Sequence, residues 1–234
     1  MPLRDVFFPA DDEKENLPLR VLIPAFVGGC LFVLAPLPRL LTVQDGVSAM
    51  LASSFVSPAA GIVLMAALLV RSGGWQTLRI RPPDGKDLRC CLAGTCLVIA
   101  TCAAVNALWK LLLKDCGIPY AEEQALMVLA KNIHGMDFVL LALLVTIPVP
   151  IAEELLFRRI LYALLLPAGR GFAVIACAAV FSAVHLYLAG IPGLFIVGAG
   201  FQLLYLRRKN LAVSILCHLL FNACAVAAAA FAAD

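Results

Sequence analysis

The chain has 234 residues, 63% of them hydrophobic and 14% charged, with a mean hydropathy of +0.98. Soluble domains run at about 45–50% apolar and about 25% charged, so composition excludes that class and points to helices in a bilayer. The net charge of +3, spread along the chain, excludes a nucleic-acid partner, and no short segments of alternating polarity suggest a β-barrel.

Residues 1–20 are polar and mixed in charge, with Asp11, Asp12, Glu13, Lys14 and Glu15 in one run. They lack the basic start and small-residue cleavage site of a removable signal peptide. Apolar segments follow at 21–41, 46–70, 90–113, 137–166, 171–190, 191–206 and 211–232. Most reach the roughly 20 residues that cross hydrocarbon. The predicted fold is all-α, a polytopic transmembrane helical bundle of about seven spans, six to eight. It forms a single transmembrane domain at 21–234. The segment at 191–206 is short and glycine-rich, and is expected to be oblique or partly buried.

Basic residues set the orientation. With the N-terminus cytoplasmic, only Arg39, Lys110, Lys114 and Lys131 among the 18 Lys and Arg are left for the outer side. Residues 71–89, with Gly73-Gly74, Pro82-Pro83 and five basic side chains, read as a cytoplasmic loop against anionic lipid. Residues 114–136 form the longest outer connection, where Glu122, Glu123, Ala125, Leu126, Val128, Leu129 and Ala130 suggest an amphipathic helix lying on the membrane. His134 falls here, outside any motif. The nine cysteines lie mostly in apolar runs with no Cys-x-x-Cys pairing, and read as packing residues.

Ionisable side chains at membrane depth are expensive and persist mostly where they have a function. Glu153, Glu154 and Arg158 interrupt one apolar run, His185 another, and His218 and Asn222 a third. On a helix, Glu154 and Arg158 are an i,i+4 pair about 40° apart and can bond. Glu153 points about 100° from Glu154, free to meet other helices as a general base for water must. Pro148 and Pro150 either kink the span or start a new half-helix at Pro150, which would put both glutamates in its first turns. Arg159 is expected to face the cytoplasmic surface. His218 and Asn222, also i and i+4, can reach one point, and imidazole and amide hydrogens suit the oxyanion of a tetrahedral intermediate. The site is expected between the midplane and the cytoplasmic side.

Glu-Glu-x-x-x-Arg at 153–158, Phe-x-x-x-His at 181–185 and His-x-x-x-Asn at 218–222 together resemble the signature of the CPBP family. That family comprises type II CAAX prenyl endopeptidases and bacterial relatives also called Abi proteins. The resemblance covers about residues 137–225, the expected catalytic core. It implies that Glu153 activates the attacking water with His185 helping to hold it. By the same resemblance His218 and Asn222 stabilise the oxyanion, while Glu154 and Arg158 support the site. No cofactor is expected; the alternative is zinc on Glu153, His185 and His218, although nothing resembles a His-Glu-x-x-His cluster.

The expected function is an intramembrane endopeptidase, with a hydrophobic, lipid-anchored or membrane-tethered peptide as partner besides the membrane lipids. The chain's compactness resembles bacterial members, which implies an inner membrane. A non-catalytic immunity or scaffold protein of the same fold is the alternative. A small proton-coupled transporter is disfavoured because no half-to-half repeat is visible.

Overall fold

The structure, a computed structural model, describes residues 17–33, 51, 54–123 and 125–231, and among these every regular element is helical. In chain order these are α1 (Leu19–Val33), α2 (Val56–Gly73), α3 (Gly85–Asp115), α4 (Ala125–Asn132), α5 (Gly135–Thr146) and α6 (Pro148–Glu154). A π-helical segment (Leu155–Leu161) carries α6 into α7 (Tyr162–Leu165). Next come α8 (Arg170–Val184), α9 (Ile191–Arg208) and α10 (Leu211–Phe231), with short 3-10 turns at Trp75–Leu78, Leu166–Ala168 and Leu188–Gly190.

Among the described residues, five stretches are long and apolar enough to cross a membrane: Val56–Gly73, Gly85–Asp115, Gly135–Ala168, Leu188–Arg208 and Leu211–Phe231. Of the other expected spans, the one at 171–190 takes a different form, and the one at 21–41 is described only in part. α8 has 15 residues, about 22 Å of helix against about 30 Å of hydrocarbon, and α1 is described over 15 residues, up to Val33, where the described residues stop. Much of the predicted segment 21–41, and the start of 46–70, fall outside the described residues. The chain is an integral membrane protein, with five full-length candidate spans and two shorter apolar helices among the described residues.

The segment at 191–206 was expected to be oblique or partly buried; it lies in the most enclosed of the five stretches, with 44% of its apolar window inside the protein. Its glycines explain why. At Gly198 a Cβ would come 3.0 Å from the Ala178 Cα, so α8 sits directly on the α9 backbone. On other faces α9 packs against α3 and α10. The core around it holds Phe157, Phe181, Phe201, Tyr205 and Cys217.

One end of the bundle is tied by charge. Asp84 caps α3, accepting from the backbone N–H groups of Lys86 and Asp87 at 2.8 and 2.7 Å, while the Asp87 carboxylate accepts back from Asp84 N–H at 3.1 Å. Asp87, fully buried, also binds Arg81 at 2.7 Å and Arg208 at 2.5 Å. Asn210 adds two hydrogen bonds to the Arg81 backbone, and Leu211 N–H donates to the Arg79 carbonyl at 2.8 Å. The two basic loops, 79–87 and 207–211, therefore meet around one carboxylate.

The opposite connection differs from the sequence reading. The amphipathic segment forms α4, but Glu122 and Glu123 precede it as bends. Glu122 pairs with Lys110 at 3.3 Å, and Glu123 pairs with Lys131 at 2.5 Å.

Candidate functional site

The site starts from a helix break. Pro148 and Pro150 have no N–H to give to the carbonyls four residues back. Accordingly α5 stops at Thr146, and Ile147 turns at φ −119° and ψ −79°. α6 then begins on Pro148, the first helical position, where a missing N–H is harmless. The new half-helix starts two residues earlier than Pro150, and Glu153 and Glu154 occupy its second turn. The sequence had left the choice open between a kink and a new start; the structure has a new start.

Immediately after the glutamates the helix widens into the π segment. Such segments are rare and tend to occur at functional sites. The widening keeps Glu154 and Arg158 paired, Nε to Oε2 at 3.2 Å, with exposures of 0% and 1%. It also directs the neighbouring Arg159 inward. Arg159 is 3% exposed and donates from Nε to the Thr77 carbonyl, so the expectation that it faces the surface is corrected. The guanidinium ties the site helix to the turn at Trp75–Leu78.

His218, on α10, comes to the same carboxylate from another helix. Its Nδ1 lies 2.9 Å from Glu154 Oε1, and its Nε2 lies 3.6 Å from Glu153 Oε2. A carboxylate paired with arginine only accepts, so Nδ1 carries the hydrogen and Nε2 is turned to Glu153. Glu153, 6% exposed, is thus away from the arginine and beside an imidazole, as the helical spacing requires.

Aromatic rings hold these groups in place. Arg158 stands 4.4 Å above the Phe181 ring, an attraction between cation and π face that replaces lost hydration. The Phe181 and Phe201 rings flank His218 at 5.9 and 5.4 Å between centroids. Phe157 meets Phe181 edge-on at 5.3 Å. Sequence reading found Phe181 only as a motif letter and did not find Phe201 at all. An i,i+4 partnership with His185 was the available signal for the first; the second gave none beyond being apolar.

His185, at the end of α8, joins this group through Phe181, on whose ring it packs at 4.7 Å. Its Nδ1 donates to the Phe181 carbonyl at 2.7 Å, which leaves Nε2 as the free ring nitrogen. Asn222 lies one turn beyond His218 and donates one amide hydrogen to the Val145 carbonyl at 2.7 Å, next to the helix break. Its second amide hydrogen remains for other partners.

Zinc chemistry needs three protein donors converging on one point. Among the described residues no three His, Cys, Asp or Glu side chains are placed to hold one ion. Within the set Glu153, His185 and His218, Glu153 and His218 form a close pair, and both histidine rings pack on Phe181.

Residues 135–224 match the family model described as type II CAAX prenyl endopeptidase Rce1-like. The matched stretch runs from the start of α5 to just past Asn222 and contains Glu153, Glu154, Arg158, His185, His218 and Asn222. No curated protein and no solved structure matches the chain.

Proposed function

We propose that this chain is a membrane endopeptidase of the CAAX type in which Glu153 activates water. The observation that carries the reading is the His218 imidazole held between two glutamates, one locked by arginine and the other left beside the open nitrogen. A protein that needed only a packed core would be served as well by apolar side chains of similar volume.

In this reading a water lies against Glu153, with His185 Nε2 accepting its second hydrogen bond. Glu153 takes a proton as the water oxygen attacks the scissile carbonyl. The carbonyl oxygen gains negative charge and is met by the free amide hydrogen of Asn222 and by His218, which serves here as the imidazolium, its Nδ1 hydrogen held by Glu154 and a second hydrogen on Nε2 offered to the oxyanion. Glu153 then returns the proton to the departing amine, and the carboxylate product leaves. Glu154 and Arg158 take no part in bond making; they fix the ring of His218.

The substrate is a peptide with a hydrophobic, lipid-anchored or membrane-tethered segment, since cleavage occurs within an apolar bundle. The distribution of basic residues supports a cytoplasmic N-terminus, and the membrane proposed is a bacterial inner membrane. The test is cleavage of a library of hydrophobic peptides by purified protein, with Glu153→Ala alongside. Cleavage by the parent and none by the variant supports the reading; equal cleavage by both removes Glu153 from its role.

A further inference from the structure

Immediately after His185 the backbone does something costly. His185 ends α8, and Leu186 follows in the left-handed region at φ +50°, with its N–H bonded to the Ala183 carbonyl at 3.1 Å. This is the residue past the helix end where chains usually place glycine, because a Cβ crowds the next carbonyl. A bulky leucine there is an outlier.

Nothing inside the protein compensates for it. Leu186 is 91% exposed, more than any other large apolar side chain among the described residues. Nor is the turn slack. The Tyr187 hydroxyl donates to the Glu122 carbonyl at 2.7 Å, and Trp109 Nε1 donates to the Leu188 carbonyl at 3.0 Å. Ser182 donates to the Ile191 carbonyl at 2.6 Å, and Asn106 accepts from Gly193 N–H at 2.9 Å. At Gly190 a Cβ would run into the Tyr187 ring, so that ring lies flat on bare backbone. Strain that persists because the surroundings over-determine it marks a functional position more often than a careless one.

The geometry points to Leu186 as a substrate-contacting residue that selects peptides with a large apolar side chain next to the bond cleaved. A peptide reaching His185 passes within one side chain's length of its sequence neighbour. Leucine, held outward on a rigid turn, offers that peptide an apolar surface. Contact with lipid alone would not favour this residue, since glycine would make the same turn without strain. The inference rests on the peptidase reading and adds the feature of the substrate that is recognised.

The experiment compares the parent with Leu186→Gly on peptides that differ only in carrying leucine or alanine beside the cleaved bond. Expected is a KM raised roughly tenfold for the leucine peptide, with kcat held within about twofold. The alanine peptide should change little, and Tm should be equal or higher because the strain is gone. An unchanged KM for the leucine peptide overturns the inference, as does an equal loss on both peptides. If the parent cleaves neither peptide the peptidase reading fails. Leu186 is then judged by photocrosslinking with a diazirine in place of that leucine. Crosslinks at 185–188 in the parent that vanish in Leu186→Gly uphold apolar peptide contact, and their absence from the parent overturns it.

Discussion

His218 gives its Nδ1 hydrogen to Glu154 across 2.9 Å, joining two residues 64 positions apart. That bond fixes which nitrogen of the ring is left for chemistry, and the nitrogen left faces Glu153. The two adjacent glutamates therefore have different work, one holding the imidazole and the other standing free of the arginine.

Replacing Glu153 with glutamine keeps shape and removes the base. Glu153→Gln should reduce peptide cleavage at least about 10³-fold, while the Tm moves by no more than a few degrees because the Glu154–Arg158 pair is untouched. Peptide turnover followed by mass spectrometry and a thermal melt in detergent provide the two numbers. A variant that melts far below the parent would make Glu153 a structural residue instead.

Glu154 should behave in the opposite way. Glu154→Ala leaves Arg158 buried without its counter-charge, and such a loss costs about 3–5 kcal/mol. The double variant Glu154→Leu with Arg158→Met removes both charges and should recover most of that stability while remaining inactive, since His218 is no longer oriented. A double variant as unstable as Glu154→Ala would show that the pair is not what the alanine variant loses.

Long apolar runs made the helical bundle legible, because a helix is the unit that hides its own backbone in lipid. Spacing alone also separated Glu154 with Arg158 from Glu153, since that argument needs only one helix turn. What depended on distant segments was not legible. Arg159 looked like a surface charge because its partner, the Thr77 carbonyl, is 82 residues away. The π segment changes which side chains face inward without any residue type that announces it. Asp87 looked like one acid in a basic loop, yet it gathers Arg81, Arg208 and Asn210. The seven-span expectation counted apolar residues and missed that α8 stops at Val184, where the chain turns to present Leu186.

Asp87 carries its own prediction. Asp87→Ala removes the partner of Arg81 and Arg208 and half of the α3 cap, and should cost about 2–3 kcal/mol. Asp87→Asn should lose less, because an amide oxygen can still accept the capping bond from Asp84 N–H. The order of melting temperatures is then parent, Asp87→Asn, Asp87→Ala. If both variants melt with the parent, the meeting of the two basic loops contributes nothing to stability.

Asn222 tests the oxyanion role against a structural one. Its bond to the Val145 carbonyl supports the broken helix, whereas its second hydrogen is the one assigned to chemistry. Asn222→Ala should lower kcat about 10²–10³-fold with KM little changed, and should reduce stability by only about 1 kcal/mol, one hydrogen bond's worth. A stability loss with unaltered kcat would confine Asn222 to holding Val145.

Metal dependence follows from where the ring nitrogens are committed. A zinc ion on His218 Nε2 and Glu153 would need a third protein donor, and among the described residues no three His, Cys, Asp or Glu side chains are placed to hold one ion. Cleavage should therefore persist after prolonged incubation with 1,10-phenanthroline, and added zinc should not raise it. Zinc on that pair would instead slow turnover, because it would occupy the carboxylate proposed to take the water's proton. Loss of activity in chelator that zinc alone restores would move Glu153 and His218 from proton transfer and oxyanion binding into a metal shell. Metal content measured beside activity separates these outcomes, since a glutamate-based enzyme turns over fully with less than one zinc per chain.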